Sequence, residues 1–536
     1  MLRRQFLRAS AAGSVLGGTS PAIWAQDKPP RASGGAWDRG RLVHLLPTVS
    51  DSEMLIKASF DAPLAAAPVL RINNRPVTGT MTDTRGETWQ FHATGLAPAR
   101  RHRLALSAGG KAGGGALCQP WELATFPAPD TQPERARILL FTCAGGHEVN
   151  RFLPTAQRNR LLRRALSFQP DAAIANGDHV YWDLRSPLTA KNSGLSAKAL
   201  AIATPPDRSR AVLGTDAEQF IKLAAGPQIA PVYGTDFRST PVFFIQDDHD
   251  YYDNDDAYDE IVTFPPDHFM QQMARVTQSI YYPEFLPDAA RPRGLPGSSQ
   301  NGRPLPISES YGTLRYGRLL EMLLYTVRRN MTMAGPSAVF VEDTVESWLK
   351  ARMGANEVAH VVNSPSNPPG WTAGKWGEWY PDVLTPEGKL TIDKPKPYWQ
   401  SGWLKQHDRL MTAMSAMRGR VPLVVSGDLH ASAVGRMLRT GNTDLSANPV
   451  VALLTGTIGT RETSWPSSIR KISAQPSLHI QMEEWIKPIE QHGFTIADFT
   501  GDKIVLRMFK WDRKTQPVEA MDTLEAFHTV ELKRPG

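Results

Sequence analysis

Four short apolar runs in this 536-residue chain each lead straight into a cluster of side chains that bind metals. They are Ile138-Leu139-Leu140-Phe141 before Thr142-Cys143, Ala172-Ala173-Ile174-Ala175 before Asn176-Gly177-Asp178, Val242-Phe243-Phe244-Ile245 before Asp247-Asp248-His249-Asp250, and Leu423-Val424-Val425 before Ser426-Gly427-Asp428-Leu429-His430. Continuous apolar runs of this length, bounded by turn residues, read as strands covered on both faces. Open α/β sheets build their sites just outside the carboxyl ends of such strands. The repetition predicts carboxylates, imidazoles and a thiolate converging from distant parts of the chain, as in a metal-dependent hydrolase.

A chain of this length exceeds one hydrophobic core, and its pattern changes near residue 130. Ahead of it, alternating segments at 54–58, 69–73, 88–91 and 103–106 read as strands of a small β-sandwich. Trp89 to Leu106, around Gly95-Leu96-Ala97-Pro98, resembles the corner of fibronectin type III domains. From Arg135 onward strands alternate with helical patterns, the mark of an α/β domain. Helices are predicted over 158–168 and 403–417; the methionines of the second have helical spacing and belong to the core. The expected organisation is a signal segment 1–25, a linker 26–39, a sandwich domain 40–129 and a catalytic domain 135–536. Two long irregular stretches, 186–216 and 283–305, are of the length that lines or covers active sites.

Arg3-Arg4-Gln5-Phe6-Leu7-Arg8, followed by a weakly apolar run and small residues at Ala22 and Ala25, reads as a twin-arginine export signal. It predicts a periplasmic or secreted protein whose partner during export is the twin-arginine translocase. The apolar run is well short of the ~20 residues that span a bilayer, and no later stretch reaches that length, so no stable membrane span is expected. The formal net charge is +7, three of it from arginines in that segment, and the densest charge run, 247–260, is acidic. That distribution excludes a nucleic-acid scaffold. The only cysteines are Cys118 and Cys143, too few for a disulfide framework. A bridge between them is open in an oxidising compartment, although the motif around Cys143 favours a ligand.

Gly177-Asp178-His179-Val180-Tyr181 places an aspartate at a strand end and a phenol three residues on. A phenolate is a hard anionic donor suited to Fe(III), whereas taken alone Tyr181 reads more readily as a core tyrosine with a bonded hydroxyl. Asp428 and His430 stand two apart on one side of a pleat, so both can reach one cluster. Trp371, Trp376, Trp379 and Tyr380 crowd around Lys375 and suggest one wall of a substrate pocket. Asp247, Asn254, Trp376 and Trp379 are candidates for supporting or substrate-binding roles.

The ordered set resembles the metallophosphoesterase superfamily and, within it, the PhoD-like alkaline phosphatases, over nearly all of the chain. The PhoD-like group has a cysteine where the wider superfamily has Asp-x-His, matched by Cys143 in Phe141-Thr142-Cys143-Ala144-Gly145. Its Asp-Asp-His-Asp is matched by Asp247 to Asp250, and the superfamily's Gly-His-x-His by Gly427-Asp428-Leu429-His430. The resemblance implies a two-sheet αββα sandwich preceded by the all-β domain, and Fe(III) and Ca(II) as metals. It implies Cys143, Tyr181 and His430 on iron, Asp178 bridging, Asp248 and Asp428 on the second metal, and His249 as a proton donor off the metals. The reaction implied is hydrolysis of a phosphate ester by a metal-bound hydroxide. A phospholipase D-type enzyme, a nucleotide phosphodiesterase and a non-catalytic, metal-containing cell-surface binding protein are alternatives. One departure stands out: the family's Leu-Asp-Thr-Arg is matched here by Leu324-Tyr325-Thr326-Val327-Arg328, which has no aspartate.

Overall fold

The alternating segments near the start of the chain pair into two four-stranded sheets. The first runs β1 (Leu42–Val49), β2 (Met54–Phe60), β6 (Thr88–Ala93), β5 (Thr80–Met81). The second runs β4 (Arg75–Thr78), β3 (Val69–Ile72), β7 (Arg101–Ser107), β8 (Trp121–Ala124). The structure is a computed structural model that describes residues 36–109, 114–182, 206–252, 264–296 and 307–535. The signal segment, Asn254 and much of both long irregular stretches lie outside the described residues.

Seven consecutive residues of β2 are buried, among them Lys57. An ammonium is tolerated there only if its hydrogen-bonding capacity is met. Lys57 Nζ donates to Gln90 Oε1 at 2.8 Å and to the Ser279 carbonyl at 2.7 Å, and pairs with Glu284 at 3.2 Å. His44 on β1 bonds the Tyr281 carbonyl through Nε2 at 2.6 Å. Buried polar contacts thus fasten the sandwich to the helix that ends at Tyr281, and Arg39 to Gly536 form one compact unit.

The remaining chain makes two stacked sheets with helices outside. The six-stranded sheet has the order β11 (Val242–Ile245), β10 (Ala172–Asn176), β9 (Arg135–Phe141), β24 (His492–Thr500), β25 (Lys503–Trp511), β26 (His528–Lys533). Its β9, β10 and β11 are parallel. The other sheet runs β12 (Tyr311–Tyr316), β13 (Leu320–Tyr325), β14 (His360–Pro365), β18 (Leu423–Ser426), β21 (Val450–Thr455), β19 (Ser432–Thr440), β20 (Thr443–Asp444), with β23 (Ile480–Ile489) also paired to β19. Two small pairs, β15 (Trp371–Thr372) with β22 (Gln475–Pro476) and β16 (Val383–Leu384) with β17 (Leu390–Thr391), decorate it.

The two sheets touch directly. Asn176 Nδ2 on β10 donates to Ser364 Oγ at 3.1 Å and to the Pro365 carbonyl at 3.0 Å on β14, and Thr495 Oγ1 on β24 donates to the Thr455 carbonyl of β21 at 3.1 Å. Helices α1 (Thr155–Ser167), α2 (Asp216–Ala224), α3 (Gly226–Tyr233) and α4 (His268–Tyr281) share the hydrophobic core of the first sheet. Helices α5 (Asp343–Gly354) and α6 (Ser401–Ser415) share that of the second. Strands with a helix layer on one side and a second sheet on the other must be apolar on both faces, which is why the four runs do not alternate. All four are strands, and the two helices anticipated over 158–168 and 403–417 are α1 and α6, each beginning two or three residues earlier. Met411, Met414 and Met417 are buried as expected. Among the described residues no helix is long and apolar enough to cross a membrane.

Candidate metal centre

The carboxyl ends of β9, β10, β11 and β18 meet at one place, so side chains from both sheets converge. Cys143, Asp178, Asp428 and His430 all have left-handed backbones, with φ of 49°, 59°, 65° and 47°. L-residues avoid this region, and such strain persists only where the surroundings hold it. The Asp250 carboxylate supplies part of that hold. It accepts from the backbone N–H groups of Asp178 (3.0 Å), His179 (2.8 Å), Val180 (3.1 Å) and Asp247 (2.9 Å), tying the end of β10 to the end of β11. From α3, Gln228 clamps Tyr181, accepting from its N–H at 2.8 Å and donating to its carbonyl at 2.9 Å. Gly427 allows the third strand end to close in, since a Cβ there would lie 2.1 Å from Thr142 Oγ1 and 2.6 Å from the Asn176 carbonyl.

Asp178 sits at the centre of a first group. Its Oδ2 accepts from Cys143 Sγ at 3.1 Å and from the Tyr181 hydroxyl at 2.8 Å, and lies 3.6 Å from His430 Nε2. The Tyr181 hydroxyl is 3.0 Å from the same Nε2. Because a carbonyl only accepts, the 2.9 Å contact between His430 Nδ1 and the Ser464 carbonyl places the proton on Nδ1 and leaves the Nε2 lone pair facing the group. Asp178 Oδ1 is buried without a hydrogen-bond partner. Burial, followed by the neighbouring Asp178 carboxylate, pushes the Cys143 thiol and the Tyr181 phenol well above their usual ranges. Burial opposes charge on Asp178 too, yet the neighbouring His249 holds its carboxyl below the usual range. Thiol, phenol, carboxylate and imidazole in mutual contact, with an orphaned carboxylate oxygen among them, make a donor set that fits a metal ion.

Asp247, Asp248 and Asp428 form a second group whose ligand atoms lie within 4.8 Å of one another. Here two cations already face the three carboxylates. Arg328 Nε donates to Asp247 Oδ1 at 2.9 Å, and its Nη2 lies 3.7 Å from Asp428 Oδ2 and 4.0 Å from Asp248 Oδ2. Lys375 Nζ donates to Asp248 Oδ2 at 3.1 Å and to Asp428 Oδ1, while Asn367 Nδ2 donates to Asp428 Oδ2 at 3.1 Å. Although burial opposes it, Lys375, His249 and Arg328 hold the Asp248 carboxyl well below the usual range. Among the described residues, Asp247 Oδ2 and Asp248 Oδ1 have no hydrogen-bond partner, and neither has Arg328 Nη2. Calcium takes ~6–8 oxygens. Unit charges 4 Å apart interact by roughly 4 kcal/mol at an effective dielectric of about 20, and a divalent ion doubles the repulsion from each cation. With these ion pairs in place, the second group does not fit the Ca(II) that the resemblance implies.

His249 joins the two groups: its ligand atom lies within 4.8 Å of those of Asp178 and Asp248, and its ring packs 4.3 Å from that of Tyr181. The aromatic residues of 371–380 sit differently from the pocket wall expected of them. Trp371, Trp379 and Tyr380 are fully buried, and Trp376 is 7% exposed. Trp379 packs on Phe340 at 4.3 Å, and Trp376 on Trp403 of α6 at 5.7 Å and on Phe264 at 6.0 Å. Their indoles fill the space between the eight-stranded sheet and α6, and Lys375 is the member of this stretch that reaches the centre. Arg328, Asn367 and Gln228 were not among the expected site residues, and Asp250, inside the expected Asp247 to Asp250 cluster, had no role assigned. The one sequence signal for them was the missing aspartate in the stretch ending at Arg328. Cys118 and Cys143 are both buried and are not joined in a disulfide, so the bridge between them is not formed.

No protein-family model matches the sequence, and no curated protein matches it. Among solved structures, PhoD aligns at a TM-score of 0.54 and 14% identity, covering 92% of this chain and 88% of that one. The chain shares its fold with PhoD. Purple acid phosphatase PPD1 from yellow lupin (Lupinus luteus) seeds aligns at a TM-score of 0.54 and 12% identity, covering 92% of this chain and 75% of that one. In this PhoD-like fold, the helix-flanked pair of sheets is the part that brings the candidate ligands together.

Proposed function

We propose that the chain is an exported, metal-dependent phosphoesterase that hydrolyses phosphate monoesters or diesters. The observation that carries this reading is the meeting of Cys143, Asp178, Tyr181 and His430 in one buried donor set, on a fold shared with two phosphatases. The thiol and phenol favour Fe(III) at that group. Bound there, iron supplies Lewis acidity toward a phosphoryl oxygen and lowers the pKa of a water. The chain's own residues account for the rest. Lys375 and Arg328 keep the adjoining carboxylates from repelling an anionic ester. His249, packed on Tyr181, is positioned to hold the proton that a departing alkoxide needs. Asp250 and Gln228 fix the strand ends so that these groups keep their spacing.

The paired arginines Arg3 and Arg4 support export by the twin-arginine route, to the periplasm or beyond. Arg3→Lys with Arg4→Lys should leave folded, unprocessed protein in the cytoplasm, and unchanged export would remove this part of the proposal. The activity is tested by phosphate release from an alkyl monoester and hydrolysis of a diester, with elemental analysis of the same preparation. Metal-free protein that turns over both substrates, or iron-loaded protein that turns over neither, counts against it.

A further inference from the structure

We propose that the position of a second metal is filled by the chain's own cations: Lys375 and Arg328 form ion pairs with Asp247, Asp248 and Asp428, and the centre holds a single metal ion at the Cys143 group. This deepens the phosphoesterase reading and rests on it for the occupied group. Three observations carry it. The first is the pairing, in which each of the three carboxylates has a cationic partner. The second is the stretch Leu324 to Arg328, which lacks the carboxylate of the resembled motif and keeps its arginine, whose guanidinium lies in the same centre.

The third is that one turn is shaped to deliver both cations. Glu378 is buried and accepts from the N–H groups of Ala373 (2.8 Å) and Lys375 (3.0 Å) and from Thr372 Oγ1 (2.5 Å). It thereby fixes the 372–378 backbone from which Lys375 reaches Asp248. The same turn offers the Gly377 carbonyl to Arg328 Nη1 at 2.9 Å. Gly377 has φ +77°, and a Cβ there would stand 2.1 Å from that Nη1, so the seat of the guanidinium requires glycine. Two cations held by their own backbone supports, and not by the carboxylates alone, are a built replacement for an ion.

A lysine in this place gives the centre a charge that does not dissociate. Hydrolysis should then need no added calcium or magnesium, and the 14% of the Lys375 side chain that remains exposed is open to a phosphoryl oxygen.

The test is metal stoichiometry on the full-length purified protein, read without reference to activity. Equilibrium dialysis against calcium at about 1 mM, the weak end of extracellular calcium sites, should leave wild type with none bound. Lys375→Met, which keeps the stem and removes the charge, should take up one calcium per chain, and Lys375→Arg should behave as wild type. Calcium bound by wild type overturns the proposal whether or not the variants fold. Folded Lys375→Met that binds none overturns it as well. Absence of iron or any other ion from the Cys143 group would instead overturn the phosphoesterase reading, leaving the calcium result to be judged separately.

Discussion

Lys375 Nζ lies 3.1 Å from Asp248 Oδ2 and also donates to Asp428, so one ammonium joins carboxylates carried by two different sheets. Removing it leaves two buried carboxylates facing each other. Breaking a buried pair costs about 3–5 kcal/mol, and Lys375→Ala should lose an amount toward the low end because the lysine is partly exposed. Denaturant titration in chelator would measure the loss, and added calcium should reduce it in the variant only.

Arg328 is more deeply placed, with 1% of its side chain exposed. Arg328→Met should cost about 3–5 kcal/mol by stranding Asp247, and Asp247→Asn in the same chain should recover a large part. Equal loss in the single and double variants would show that the guanidinium acts through packing and its bond to Gly377.

His249 separates substrates by leaving group. Alkyl phosphates leave as basic alkoxides and nitrophenyl phosphates as stable phenolates, so His249→Ala should slow the first class by ~10²- to 10⁴-fold and the second far less. Iron content should not change. Equal slowing of both classes, or lost metal, would make His249 a ligand or a structural residue.

Tyr181 carries a spectroscopic signature. With its hydroxyl 2.8 Å from Asp178 and 3.0 Å from His430, it should give the iron-loaded protein a visible charge-transfer band that Tyr181→Phe shifts or weakens. A colourless, active, iron-free preparation would point to Zn(II), Mg(II) or another ion.

Buried histidines set an acid limit on stability. Burial lowers His44 and His360 to about 4 and His407 to about 3. Each is neutral in the fold and protonates near 6.5 when unfolded, so the unfolded state binds more protons between those values. Their contribution is complete above pH 6.5 and is lost as pH falls toward 4, about 3 kcal/mol for His44. The Tm should fall across that window, and His44→Gln should flatten the fall.

The four ligand-bearing strands were legible in the sequence because burial on both faces leaves no choice of residue. The ligands were legible because each follows its strand directly, as Cys143 follows β9 and Asp178 follows β10. The sandwich strands expected at 54–58 and 88–91 form at 54–60 and 88–93, buried almost throughout and without the alternation anticipated for them. What tertiary structure decided is which charges meet. Asp248 and Lys375 are 127 residues apart, and Asp247 and Arg328 are 81 apart, so no local pattern relates them. The tryptophans beside Lys375 likewise have the composition of a pocket wall and the environment of a core, since α6 closes over them. Periodicity and residue type record what a segment must bury and can bind. The partner of a buried charge depends on how two sheets stack, and that relationship exists only once the chain has folded.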